Sequence, residues 1–208
     1  MTPNLEPLLT RRSVSVRDLV APGPNATELE QILRVATRVP DHGKLTPWRI
    51  CILRGEGAVR LGSIAAARLM ATHPEATEAQ ITAEKNRFQR APLVLAVLST
   101  PVPDTKPLWE QQLSAGAVCM NILHAAHALG YGGKWLTEWV AYDAEIIAAL
   151  MNASLNSPLA GESTRPLSAS VGGNKANVAI AGFLYLGSKT TTPDDRERPA
   201  LADIVVEF

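Results

Sequence analysis

Apolar residues recur along the chain in two periods, and the switches between them mark out the elements. Leu29, Ile32, Leu33 and Ala36 fall on one face of a helical repeat. Thr27-x-x-Glu30 has the form of a capping box that opens this helix, and Pro40 ends it. Before it, Pro3 to Thr10 reads as a short helix. Trp48 to Leu53 predicts a strand closed by Gly55-Glu56-Gly57. Val59 to Met70 and the more polar Thr77 to Arg90 predict two further helices. Pro92 then introduces Leu93 to Leu98, a continuous apolar run expected of a buried strand. Leu108 to Leu129 predicts a long helix rich in Ser, Ala and Gly. Its small side chains let another helix approach, which suits the domain centre or a subunit interface. Gly130 caps it. A strand over Lys134 to Thr137 follows, and Asp143 caps a short helix ending near Leu150. Val178 to Leu186 is another central strand, and Leu201 to Phe208 reads as a short terminal strand.

Helices and strands mix without regular alternation. The pattern therefore predicts an α+β fold, with a mainly antiparallel central sheet wrapped by helices. The chain reads as a single domain over 1–208 with a loop insertion at about 152–177. That insertion is rich in Ser, Asn, Gly and Pro and low in charge, so it reads as disordered, as a lid over a cleft, or as a surface insertion. Its scattered Leu155, Leu159, Leu167 and Val171 argue for partial packing.

Charge narrows the partners. Lys+Arg and Asp+Glu both number 20, so no global field favours nucleic acid or an anionic membrane. Any anion site must be local. Leu113 to Leu129 is the most apolar stretch, but Asn121, His124 and His127 make it too polar to span a bilayer. The N-terminus shows no signal-peptide pattern. With Cys51 and Cys119 both among apolar neighbours and read as core residues, a cytoplasmic location is expected.

Candidate chemistry gathers in a few motifs. Thr10-Arg11-Arg12-Ser13 sets two guanidiniums beside a hydroxyl, which suits a phosphate and equally a solvated basic turn. Arg196-Glu-Arg198-Pro199 is a second basic cluster at the far end of the chain. Arg38 to Trp48 reads Arg-Val-Pro-Asp-His-Gly-Lys-Leu-Thr-Pro-Trp and places Arg38 and His42 around a helix end. Gly132-Gly133 leads into Lys134-Trp135-Leu136-Thr137, which is either a plain helix cap and strand or backbone laid along a ligand. His124 and His127 share a helix face without an obvious third metal ligand. No P-loop, Gly-x-Ser-x-Gly or Cys-x-x-Cys is present, so a bound cofactor must carry any difficult redox step.

Taken together, these spaced motifs resemble the nitroreductase family of FMN-dependent, homodimeric oxidoreductases. The likeness is greatest to compact bacterial members with Pro-Asp-His before a Pro-Trp strand. It implies the family's fold, with the C-terminal segment crossing onto the partner's sheet. It implies an FMN phosphate held by Arg11 and Ser13, with Arg196 and Arg198 meeting it, and Arg12 facing the ring or the partner. Arg38 would sit at the flavin's polar edge, and His42 would reach the flavin of the other subunit. The backbone of Trp135, Leu136 and Thr137 would pass along the isoalloxazine ring. NADPH or NADH would deliver hydride to flavin N5, and a nitroaromatic or quinone would then take it in ping-pong exchange. The residues named are binders and tuners; none is a catalyst and none a metal ligand. Thr46 replaces the family's usual Gln, and Glu138 stands where a Gly is common. Two other readings stay open: a flavin-binding protein without turnover, or a family member that uses FMN for dehalogenation or dehydrogenation.

Overall fold

The computed structural model describes residues 5–102, 106–156 and 178–208, so most of the 152–177 insertion lies outside the described residues. The sheet is antiparallel throughout. At its centre runs β5 (Ala179–Lys189), which pairs with β1 (Leu19–Val20), β3 (Leu93–Ser99) and β4 (Gly132–Leu136). β2 (Trp48–Leu53) pairs with the far edge of β3, from Trp48 opposite Ser99 to Leu53 opposite Val94.

Every residue of β3 is buried, as its unbroken apolar run predicts, because both faces of the sheet are covered. Val94, Ala96 and Leu98 face one layer with Phe183 and Tyr185. There they meet α3 (Glu56–Thr72) and α6 (Ala144–Leu155), and the short α4 (Glu78–Lys85) lies against α3. Leu93, Leu95 and Val97 face the other layer with Leu184 and Leu186. They pack on α2 (Ala26–Ala36) and α5 (Leu108–Ala128). Each fully buried Leu, Val or Phe contributes about 1.5–3 kcal/mol. This one strand thus ties two cores together. α5 buries one stripe against the sheet, with Ala115, Val118, Cys119, Ile122 and Ala126 wholly buried, and leaves Trp109 and Leu113 exposed.

Two local expectations are corrected. α2 begins two residues early: Asn25, not Thr27, is the cap, and Glu28, not Glu30, closes the box. Glu28 Oε2 also accepts from Tyr131 Oη at 2.7 Å, a tertiary bond that the register Thr27–Glu30 would forgo. Residues 201–208 do not form a strand. Leu201–Ile204 make one helical turn, α7, and Val205 follows in an extended conformation. An extended segment without a neighbouring strand gains no ladder hydrogen bonds, so the local turn prevails.

A bulge in β5 has a further consequence. Val97 faces Gly182, whereas Leu98 faces Ile180, so Ala181 is the extra residue. Its carbonyl accepts Trp135 Nε1 at 3.0 Å. A Cβ on Gly182 would lie 2.0 Å from that nitrogen, so only glycine admits the indole.

Candidate functional site

The segment 11–15 lies along β4, with Val14 N donating to Gly133 O at 3.0 Å, and gives way to a 3-10 turn at Val16–Asp18. Val14 and Val16 are buried, and of the residues between and beside them Ser13 and Arg17 are exposed and Ser15 half-buried. Ser13, Ser15 and Arg17 line an open groove of about 870 Å³, together with Val16, Asp18, Arg90, Lys134 and residues 191–194. That volume falls in the range of small-molecule sites. Beside it is a cavity of about 170 Å³ lined by Thr10, Arg11, Arg12, His127, Tyr131 and Lys189. Thr192 and Pro193 border both.

Arg11 anchors the electrostatics. α1 (Glu6–Thr10) delivers it to the end of α5, where Thr10 Oγ1 lies 3.2 Å from His127 Nε2. Burial lowers its pKa, and Arg198, Arg12 and Arg196 lower it further. The two basic clusters therefore converge on one place, as their pairing at opposite chain ends suggested. Arg12 and Arg198 are partly neutralised. Arg12 Nε donates to Asp194 O at 2.8 Å and lies 3.7 Å from Asp195 Oδ1, which is 3.4 Å from Arg198 Nη2. Arg11 has no hydrogen bond or ion pair among the described residues. His124 and His127 are also pushed below their ordinary pKa, by burial first; Arg11 contributes in both, and Lys189 in His127. An anion in this corner would relieve each of these repulsions.

The Arg38–Trp48 segment lies elsewhere. Arg38 is exposed, and its carbonyl accepts from Asn121 Nδ2 at 3.1 Å. His42 Nδ1 lies 2.6 Å from Glu110 Oε2, and Ser114 Oγ donates to Pro40 O at 2.8 Å. Asp41 holds the loop by accepting the amides of Leu45 and Thr46, both at 2.9 Å. Glu110 and His127 are 17 residues apart on α5, about 25 Å at 1.5 Å per residue. Within one chain His42 is therefore remote from the arginine corner.

Trp135 packs onto Gly182, and Leu136 joins the core layer of Phe183 and Tyr185. Thr137 is half-buried at the β4 exit. The room beside Gly132 and Gly133 is already filled. A Cβ there would meet Leu19 Cδ2 at 2.7 Å and Leu123 Cδ2 at 2.8 Å. Core packing thus accounts for both glycines.

Among the groove residues that escape a reading of the sequence are Ser15, Arg17, Arg90 and Lys134. Ser15 continues the alternation begun by Ser13, which is a usable signal, whereas Arg17 sits in the 3-10 turn that follows. Lys134 shares a β4 face with Leu136. Arg90 gives no signal, since only the fold brings it to Tyr185, whose hydroxyl is 3.2 Å from its Nη2.

Comparison with known proteins bears on this geometry. The sequence profile described as "Nitroreductase family" matches residues 8–160. A relative from Escherichia coli K12, named "Putative NAD(P)H nitroreductase YdjA", is 32% identical over 185 residues, 88% of this chain and 87% of its own. A nitroreductase-like family protein from Bacillus cereus superposes with a TM-score of 0.72 at 19% identity, covering 100% of this chain and 97% of its own. A nitroreductase with bound FMN from Bacteroides fragilis gives a TM-score of 0.60 at 17% identity, covering all of both chains.

Proposed function

From the premise that the chain belongs to the nitroreductase family, we propose that it is an FMN-dependent oxidoreductase. It takes hydride from NADPH or NADH and passes it to an electron-poor acceptor such as a nitroaromatic or quinone. The observation that carries this reading is Arg11, a partly buried guanidinium with three others around it and no acid of its own. Such a corner fits the phosphate of FMN, and the adjoining groove has room for the rest of a flavin nucleotide.

When bound, FMN supplies the hydride chemistry at its N5. The protein holds and tunes it. Arg11, Ser13, Arg196 and Arg198 bind the phosphate, with Arg12 braced on Asp194. Lys134 presents positive charge along the groove, and Arg90 lines it while paired to Glu138. The backbone of Trp135, Leu136 and Thr137 supports the ring.

The working unit is a homodimer with shared sites. Leu8 and Leu9 on α1, Trp109 and Leu113 on α5, and Ile204, Val205 and Val206 in the tail are exposed apolar surface that a second copy would cover. Trp109 adjoins Glu110, the partner of His42, so the same contact carries His42 and Arg38 toward the neighbour's flavin. The C-terminal segment crosses in the same way. The domain assignment follows: 1–208 is one FMN-binding unit interrupted at 152–177.

The test is the visible spectrum of the purified protein, reconstituted with FMN, before and after anaerobic NADPH or NADH. A flavin spectrum that bleaches, and returns when a nitroaromatic or quinone is added, is the expected result. A flavin that stays oxidised favours a binder without turnover, and failure to bind FMN refutes the proposal.

A further inference from the structure

Glu138 stands at the exit of β4 with φ +54° and ψ −176°, a conformation that glycine adopts freely and other residues only under strain. Strain of this kind persists where the surroundings over-determine it. Here an ion chain does so. The buried Arg87 forks onto Glu84, with Nε 2.6 Å from Oε2 and Nη2 on Oε1, and gives Nη1 to Glu138 Oε2. The two acids hold Arg87 firmly charged: burial pulls its pKa down, but Glu84 and Glu138 outweigh that. Arg90 Nη2 lies 3.4 Å from the same Glu138 oxygen. Arg90 is fixed further by Nε donating to Arg87 O at 2.9 Å, and its guanidinium lies 5.2 Å from the Tyr185 ring centre. Two acids and two guanidiniums balance, so the chain is complete without a ligand. It runs from the buried Glu84 to Arg90, which lines the groove.

We propose that Glu84–Arg87–Glu138 is a latch that stands in for a glycine. It pins the β4 exit in its left-handed geometry, and so positions the backbone that supports the flavin. These are positioning residues. The ligand rests on the flavin reading above; the latch itself does not.

The consequence is specific: the latch matters only while residue 138 carries a Cβ. Glu138→Ala removes the carboxylate and keeps the Cβ, whereas Glu138→Gly removes both. Arg87→Met is made together with Glu84→Gln, so that no buried carboxylate is left bare. FMN dissociation constants are read by flavin fluorescence, and the flavin midpoint potential and visible spectrum are recorded for each variant. Glu138→Ala and the Arg87→Met/Glu84→Gln pair should weaken FMN binding about tenfold and shift the potential. Glu138→Gly should restore both to near the wild-type values, and the Arg87→Met/Glu84→Gln changes should be silent when added to it. General destabilisation would not be cured by glycine. The proposal is overturned if Glu138→Ala binds FMN as the wild type does, or if the Arg87→Met/Glu84→Gln changes cost as much in the Glu138→Gly background as in the wild-type one. Should the wild type bind no FMN, the flavin reading falls and hydrogen exchange of amides 137–139 in the free protein decides the latch. Exchange about tenfold faster in the Arg87→Met/Glu84→Gln protein supports it, and unchanged exchange refutes it.

Discussion

Replacing Arg11 with alanine should change two properties in opposite directions. In the free protein Arg11 makes no hydrogen bond or ion pair among the described residues, and it faces the charges of Arg198, Arg12 and Arg196. Removing it relieves repulsion worth about 0.2–1 kcal/mol between such partly solvated charges. In a domain of this size 1 kcal/mol moves Tm by about 2–4 °C, so the free protein should melt at the same temperature or up to about 3 °C higher. With FMN the sign reverses. A charge-assisted bond to phosphate is worth about 1.5–3 kcal/mol, so affinity should fall roughly 10- to 150-fold. Arg11→Lys keeps the charge but loses the fork and should fall between. Fluorescence titration gives the dissociation constants, and thermal melts without flavin give the stability. Unchanged affinity removes Arg11 from the phosphate site. A drop of more than about 5 °C in the free protein would show that Arg11 serves the fold instead.

Burial pushes the Cys51 thiol up to about 11 and the Cys119 thiol up to about 12, so neither should react with a thiol reagent in the native protein near neutral pH, and both should react once it is unfolded; rapid labelling of native protein would contradict this. Gly182→Ala should drive the Trp135 indole off Ala181 O and cost about 1–3 kcal/mol, seen as a lower Tm and altered tryptophan fluorescence; an unchanged Tm would show that the strand yields. His124 and His127 are held below their ordinary 6.5, so the unfolded chain binds more protons than the native one in that range. Their contribution to the stability of the free protein should be full above 6.5 and fade as the pH falls below it. A His124→Gln/His127→Gln variant should lose part of that slope, and an identical pH profile would refute the assignment.

Most of the framework can be read from the chain because its signals are local. The run Leu93–Leu98, the stripe on α2 and the Asp143 cap each depend on neighbours within a few residues, and each appears where expected. Errors arise where two local solutions compete and a distant partner decides. Asn25 and Thr27 can both cap, and Tyr131, more than a hundred residues away, tips the choice to Glu28. The tail 201–208 has strand-like composition but no strand beside it in its own chain. The arginine corner is foreshadowed by two basic clusters. The latch is not, because Glu84 and Arg87 look like an ordinary i, i+3 pair until the fold brings Glu138 across from β4. Arg90 stays hidden for the same reason.

Arg12 grips the carbonyl of Asp194, a partner 182 residues further along, and Thr190 N donates to Asp18 O at 3.0 Å. The groove is thus sewn from the two ends of the chain. On the ribosome, α2, β2, α3 and β3 can begin to associate while the first seventeen or so residues have nothing to close against. No groove exists until residues 189–198 emerge, and contacts of such long reach are slow to form. A polypeptide ending just after β5, at about residue 190, would carry a nearly whole core and an unclosed arginine corner, so truncation there abolishes the anion site while sparing the fold.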